Sequence, residues 1–203
     1  MIAAAFLLSV LPMTQAATKL TFEDVRPFDW FYDSVAYVYN RGIMDGVSTY
    51  YFDPNGGCSR AVVVQALYNL SDHPLFFRNG IEFTDVPPSS PYYEAVAWAV
   101  AEEITYGYGD GIFGPDDTIT REQLATFFLR YARYRGLNAD YQADFSEFGD
   151  AGKVSDYALT AMRWAVAVGL IKGTDEKLLE PQQTATRAQF ATIIMRLAEG
   201  YGY

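Results

Sequence analysis

The fold is decided by residues 113–131, FGPDDTITREQLATFFLRY. Within this stretch Thr120 and Gln123 have the spacing of a capping box, a helix start in which each side chain bonds the other residue's backbone N–H. Four large side chains then follow at the spacing that places them on one face of an α-helix: Leu124, Phe127, Phe128 and Tyr131. The stretch therefore predicts a loop that ends in a Phe-x-Pro step, followed by a helix with one buried face.

The same pattern occurs three times in the chain. Matched positions shift by 61 residues between the first two copies, and by 66 between the second and third copies after one inserted residue. Each copy has a Phe-x-Asp lead, an amphipathic first helix, a loop containing glycine, and the second helix. We place the first helices at 31–41, 92–102 and 154–168 and the repeats at 20–78, 79–140 and 141–203. Because no second helix can bury its apolar face alone, the repeats predict one all-α bundle of helix-loop-helix units about a pseudo-threefold axis.

The first 17 residues have the composition of a signal peptide. An apolar run from Ala3 to Pro12 is followed by small residues suited to cleavage after Ala16 or Ala17. The run is too short to span a bilayer. It lacks the basic residue that usually precedes such a run, and a buried N-terminal helix is the alternative. We expect a secreted protein without membrane insertion once the signal is removed.

Charge and rare residues exclude several function classes. With 15 basic and 25 acidic residues the net charge is −10, which argues against nucleic acid and against anionic lipid as partners. The lone Cys58 cannot form an internal disulfide; a small buried thiol and an intermolecular disulfide are the two interpretations. A single histidine, His73, cannot supply a Ser/His/Asp or Cys/His catalytic arrangement to each of three repeats. We therefore expect no catalytic residue, no metal and no cofactor.

These motifs resemble the S-layer homology repeat. The match rests on Phe-x-Asp-Val, an aromatic start of the first helix, Gly42 with Gly46, Phe-x-Pro and Thr-Arg-x-Gln, and it covers residues 20–199. The resemblance implies a bundle shaped as a three-pronged spindle, located at the bacterial cell surface. It also implies non-covalent binding of a peptidoglycan-linked cell-wall polysaccharide, often one that carries a pyruvate ketal, in grooves between repeats. By position, the arginine of the family's Thr-Arg-Ala-Glu motif corresponds to Arg60, Arg121 and Arg187.

The chemistry of these arginines suits such a ligand. A guanidinium matches a carboxylate with two parallel hydrogen bonds, and the first turn of a helix offers free N–H groups to an anion. The other expected ligand-binding residues are aromatic platforms and glycines with exposed backbone: Trp30, Tyr92, Tyr108, Tyr157, Gly46, Gly107 and Gly173. A positive φ or a close approach explains these glycines first.

The residues alone leave a scaffold role open as well. Each arginine could instead form a salt bridge, with the Phe-x-Asp aspartates Asp24, Asp85 and Asp150 as the obvious partners. Those aspartates are expected to cap residues two or three positions further on.

Two other functions remain as alternatives. The repeats could bind other surface-layer subunits, as a structural or assembly protein. A cell-wall hydrolase would need an acid/base pair such as Asp116 with Asp117 or Glu102 with Glu103, and an active site should break the repeat symmetry. Neither pair does so, and we expect a protein that is not an enzyme.

Overall fold

The computed structural model describes residues 20–77 and 83–201. Two α-helices occur in each repeat, and in the described ranges the regular structure is helical, which confirms the all-α fold class. The predicted signal peptide lies outside the described residues, and the repeat boundaries stay predictions. No helix in these ranges is long and apolar enough to cross a membrane. The helices are α1 (Tyr32–Asn40), α2 (Arg60–Leu70), α3 (Tyr93–Ala101), α4 (Arg121–Tyr134), α5 (Leu159–Ala167) and α6 (Arg187–Tyr201).

The second helix of each repeat begins where its cap predicts. The Thr120 hydroxyl accepts a hydrogen bond from the Gln123 N–H, and the Gln123 side chain accepts one from the Thr120 N–H, so the predicted box is complete. Thr186 and Gln189 form the same pair of bonds. In repeat one the Ser59 hydroxyl accepts from the backbone N–H three residues on, which gives half a box, as the sequence indicates.

The first helix of repeat three starts later than predicted. The helix expected at 154–168 begins only at Leu159, as α5. A short 3-10 turn, Asp156–Ala158, takes the place of its first turn, and another, Ala151–Lys153, lies just before the predicted start. Ser155 between these turns is held in an extended conformation (φ −64°, ψ 145°). The Glu122 carboxylate accepts hydrogen bonds from both its N–H and its hydroxyl. A contact from another repeat thus overrides the local helical pattern.

Three residues at one repeat position close a ring of backbone hydrogen bonds. The Cys58 N–H donates to the Ala185 carbonyl, the Ala185 N–H to the Ile119 carbonyl, and the Ile119 N–H to the Cys58 carbonyl, each at 2.9 Å. All three side chains are buried. Because the three bonds are equivalent and each joins two different repeats, the ring marks the pseudo-threefold axis of one shared bundle.

This position also settles the state of the thiol. Cys58 is fully buried at the axis, and burial raises its pKa to about 12, against the opposing charge of Arg187. A thiol without access to solvent cannot pair with another molecule while the chain is folded. The expectation of a small buried thiol is therefore correct, and the intermolecular disulfide is excluded for the folded chain.

Each prong of the bundle combines two repeats. The second helix of one repeat lies against the first helix of the next: α2 against α3 and α4 against α5. The ring closes through α6, which contacts α1 at the other end of the chain. Near the centre, the rings of Phe128 and Phe190 stack with centroids 6.2 Å apart. The apolar faces of the second helices are thus buried by residues of other repeats.

The aspartate of each Phe-x-Asp lead fastens the loop of its own repeat. Asp85 accepts hydrogen bonds from the backbone N–H groups of Phe113 and Gly114, 28 and 29 residues further along the chain. Asp24 makes the equivalent bonds to the Phe-x-Pro step of repeat one, and Asp150 to Leu179 and Glu180 of the corresponding Leu-Glu-Pro step of repeat three. The expectation of a local cap is wrong, because the carboxylate closes a long loop instead.

Candidate ligand-binding grooves

Three grooves lie between the repeats, and each contains one of the three predicted arginines. The Arg60 groove has a volume of about 310 Å³, the Arg121 groove about 110 Å³ and the Arg187 groove about 450 Å³. Each groove is lined by the arginine at the start of one second helix, by the loop and second helix of the following repeat, and by an aromatic residue at the start of a first helix. The site is therefore built by three repeats together.

Each arginine is held by the loop of the following repeat. The Nε–H of Arg60 donates to the Phe113 carbonyl at 3.0 Å, and Arg121 and Arg187 donate in the same way to the carbonyls of Leu179 and Phe52, at 2.8 and 2.7 Å. These carbonyls belong to the apolar residue, Phe or Leu, that stands two positions before the loop proline of each repeat. The three side chains are 3%, 9% and 6% exposed. The Nε bonds hold the guanidiniums against the next repeat and leave the terminal nitrogens for other partners.

The terminal nitrogens differ in what they bind. Nη2 of Arg121 donates to the Lys172 carbonyl at 2.9 Å, and Nη2 of Arg187 donates to the Asp45 carbonyl at 2.6 Å. Within the described residues Arg60 makes only its Nε bond, so both of its terminal nitrogens keep their hydrogen-bonding capacity. Its guanidinium carbon lies 4.4 Å from the centroid of the Tyr108 ring.

No carboxylate of residues 20–77 and 83–201 forms a salt bridge with any of the three arginines. The interpretation in which the Phe-x-Asp aspartates form salt bridges with them is therefore wrong. Burial lowers the pKa of Arg60 and that of Arg121, since a desolvated cation loses hydration, although the charges of Asp85 and Asp150 act at longer range on Arg60 and Arg121 and oppose the lowering of their pKa values. A guanidinium nevertheless stays charged at neutral pH. Each groove thus contains a fixed positive charge that no carboxylate of the described residues contacts within salt-bridge distance.

The helix N-termini do not offer the free N–H groups that the sequence led us to expect. The first two N–H groups of each second helix donate to carbonyls in the loop of the next repeat, at 2.9 to 3.0 Å. The third N–H group donates to the side-chain hydroxyl of the capping residue, which is Ser59, Thr120 or Thr186. The starts of the second helices are therefore not available to bind an anion in these grooves. The carbonyls concerned are those of Asp117 and Pro115 for α2, Gln183 and Pro181 for α4, and Gly56 and Pro54 for α6.

The predicted aromatic residues fall into separate grooves. Tyr157 lines the Arg60 groove together with Tyr108, Trp30 lines the Arg121 groove, and Tyr92 lines the Arg187 groove. Trp30 and Tyr157 share one repeat position and are exposed, whereas Tyr92 is one position further on and is half-buried. Two of the three grooves thus present a matching exposed ring.

The predicted glycines are explained by close packing. A methyl group on Gly46 would lie 2.5 Å from the Phe22 ring, and one on Gly173 would lie 2.5 Å from the ring of Phe148. A methyl group on Gly107 would lie 2.6 Å from the Phe83 ring, and of these three glycines only Gly107 has a positive φ, +73°. Gly46 and Gly107 also line the Arg187 and Arg60 grooves.

A second basic position distinguishes the grooves. Arg130 of α4 lines the Arg60 groove, and Arg196 of α6 lines the Arg121 groove. Each lies nine residues after the first residue of its helix. The corresponding residue in the Arg187 groove is Asn69, and that groove is also lined by Asp45 and Asp53. Two grooves therefore carry paired cations, while the third combines one arginine with nearby carboxylates.

Sequence reasoning missed Glu122. This carboxylate is buried and accepts hydrogen bonds from Ser155, from the Tyr157 hydroxyl at 3.2 Å and from Gln182. It thereby positions the ring of Tyr157 at the Arg60 groove. A signal was present in the repeats, because alanine stands at the equivalent positions 61 and 188.

Comparison with known proteins identifies the family. The family model for the S-layer homology domain matches residues 21–61, 82–125 and 147–191, one match in each repeat. The chain belongs to the S-layer homology domain family.

Relatives carry this S-layer homology region as part of longer chains. The exoglucanase XynX of Acetivibrio thermocellus and the surface-layer 125 kDa protein of Lysinibacillus sphaericus are each 28% identical, over 95% and 94% of this chain. An amylopullulanase of Thermoanaerobacterium thermosulfurigenes is 28% identical over 90% of it. The chain spans only 18%, 16% and 10% of these three proteins, in that order. What enzymes and a surface-layer protein share is therefore the anchoring region, which gives this chain an anchoring role at the cell surface.

Proposed function

We propose that the chain holds a surface protein non-covalently at the bacterial cell wall by binding an anionic, pyruvylated wall polysaccharide in the grooves between its repeats. The observation that carries this proposal is a fixed, nearly buried guanidinium in each groove without a salt-bridge partner among the described residues. Removing a guanidinium from water without a salt-bridge partner in contact is costly, and an anionic ligand would offset that cost. The carboxylate of a pyruvate ketal is a counter-ion of the right shape for a guanidinium.

The three grooves are not expected to bind equally. In the Arg60 groove the terminal nitrogens of Arg60 are available, Arg130 adds a second cation, and Tyr108 and Tyr157 offer ring faces to a sugar. In the Arg187 groove Nη2 is already used, and the carboxylates of Asp45 and Asp53 oppose an anion. The Arg60 groove is therefore the principal site and the Arg187 groove the weakest.

Sedimentation with purified cell walls tests the proposal. The chain should sediment with intact walls and stay in solution after the secondary polymer has been extracted from them. Extracted polymer added in solution should compete. Because the net charge of −10 repels an anionic polymer at long range, moderate salt should leave binding level or slightly stronger. Equal sedimentation with intact and extracted walls would refute glycan binding and favour the protein-binding alternative.

A further inference from the structure

A second cavity adjoins the Arg60 groove. It has a volume of about 520 Å³ and is formed by the end of α3, the loop that follows, and α4. Tyr106 and Arg130 line both this cavity and the Arg60 groove. We name it the Glu103 cavity; its lining residues are Ala101, Glu102, Glu103, Tyr106, Arg130, Arg133 and Tyr134.

The charged side chains that line the Glu103 cavity form no salt bridges with one another. Two glutamates and two arginines line it, yet among the described residues none of these four forms a salt bridge within 4 Å. Arg130 instead lies over the Tyr106 ring, with its guanidinium carbon 4.7 Å from the ring centroid. Acceptors, donors and an exposed aromatic face thus surround one space, and their formal charges sum to zero.

The backbone at Glu103 supports a role beyond folding. Glu103 follows α3 with φ +58°, where a side chain is disfavoured. The equivalent positions of repeats one and three are Gly42 (φ +65°) and Gly169 (φ +76°), the residue that this conformation favours. Repeat two therefore carries a carboxylate at a position where glycine would fold more easily, and that carboxylate faces a cavity.

We propose that the Glu103 cavity is a second subsite of the Arg60 groove, which takes the uncharged sugar next to the acidic sugar of the same glycan. The inference rests on the proposed function. Carboxylates accept hydrogen bonds from sugar hydroxyls, guanidiniums donate to them, and the Tyr106 ring offers an apolar face. Because Tyr106 and Arg130 belong to both spaces, adjacent units of one chain can occupy the two at once.

Calorimetric titration with defined sugars tests the subsite. The probes are a hexose with a pyruvate ketal, as its methyl glycoside, and two disaccharides in which an N-acetylhexosamine is linked on either side of that unit. The chain should bind one disaccharide about tenfold more tightly than the single unit, as expected for added bonds to charged groups. Glu103→Gly should lose most of that gain, keep the affinity for the single unit, and melt about 2–4 °C higher because backbone strain is relieved.

Two controls separate charge from contact. Glu147→Gln removes one negative charge away from both cavities and should keep the full gain. Glu103→Gln keeps the shape and one acceptor and should lose part of it. The subsite is refuted if neither disaccharide binds more tightly than the single unit, or if Glu103→Gly keeps the gain. Failure of all three sugars to bind the unmodified chain would instead refute the proposed function, and the subsite with it.

Discussion

Replacing Arg60 by lysine keeps the charge of the principal groove and removes the planar guanidinium. The structure predicts two separate losses. The Nε–H that now donates to the buried Phe113 carbonyl at 3.0 Å has no counterpart in lysine, and an unsatisfied buried acceptor costs about 1–3 kcal/mol of folding stability. The ammonium can also no longer offer two parallel hydrogen bonds to a carboxylate.

The expected loss of binding follows from the same geometry. A hydrogen bond to a charged group is worth about 1.5–3 kcal/mol, and 1.4 kcal/mol corresponds to a factor of ten in affinity. The affinity of the Arg60 groove for extracted wall polymer should therefore fall about tenfold to a hundredfold, nearly as far as in Arg60→Ala. Arg187→Lys should lower overall binding less, because Asn69 replaces the second cation in that groove.

Two measurements keep the losses apart. Urea unfolding gives the stability of each variant. Titration with wall polymer, in buffer in which every variant is folded, gives its affinity. Arg41→Lys is the matched control: Arg41 is exposed, lies over the Tyr37 ring and lines none of the three grooves. An Arg60→Lys variant that is less stable yet binds as the unmodified chain does would show that the guanidinium only supports the fold.

Three further changes have defined outcomes. Glu122→Ala should lower the free energy of unfolding by about 1–3 kcal/mol in urea, because the half-buried Ser155 loses a charged hydrogen-bond acceptor, and should weaken binding as Tyr157 loses its support; an unchanged midpoint would contradict this. Gly46→Ala places a methyl group 2.6 to 2.7 Å from two backbone carbonyls and should cost about 1–3 kcal/mol, whereas Gly152→Ala, which meets open space, should not. The Cys58 thiol should react with a disulfide reagent at pH 8 only after unfolding, since burial raises its pKa to about 12; stoichiometric labelling of the folded chain would refute its burial.

The parts of the fold that depend on local pattern could be predicted from the sequence. The caps at Thr120 and Thr186 start their helices where expected, and the spacing of Leu124, Phe127, Phe128 and Tyr131 places all four in the core. The repetition predicted the shared core, because three equivalent apolar helix faces can be buried together only at a common centre. These inferences need only neighbours within about four residues, where helical geometry is known in advance.

The predictions that were wrong involve residues that are far apart in the chain. The Ser155 segment is helical by pattern but is extended because Glu122, 33 residues earlier, binds it. The aspartates were expected to cap nearby residues and instead hold loops 28 to 30 residues away. No local rule contains such distances, because the first contact depends on how two repeats pack together and the others on how the loop of a repeat folds back onto its own lead.

The pairing of helices across repeats also explains why a choice between scaffold and binding roles was too simple for the arginines. Each guanidinium has one nitrogen, Nε, committed to a carbonyl of the next repeat, and two terminal nitrogens beyond it. The Nε bond fixes the side chain's orientation before a ligand arrives, which reduces the entropy lost on binding. The same bond joins two repeats, so a groove exists only while the ring of repeats is closed. Under the proposed function, an arginine that holds the repeats together is also oriented for an anion, and binding should be strongest at Arg60, whose two terminal nitrogens make no hydrogen bond within the described residues.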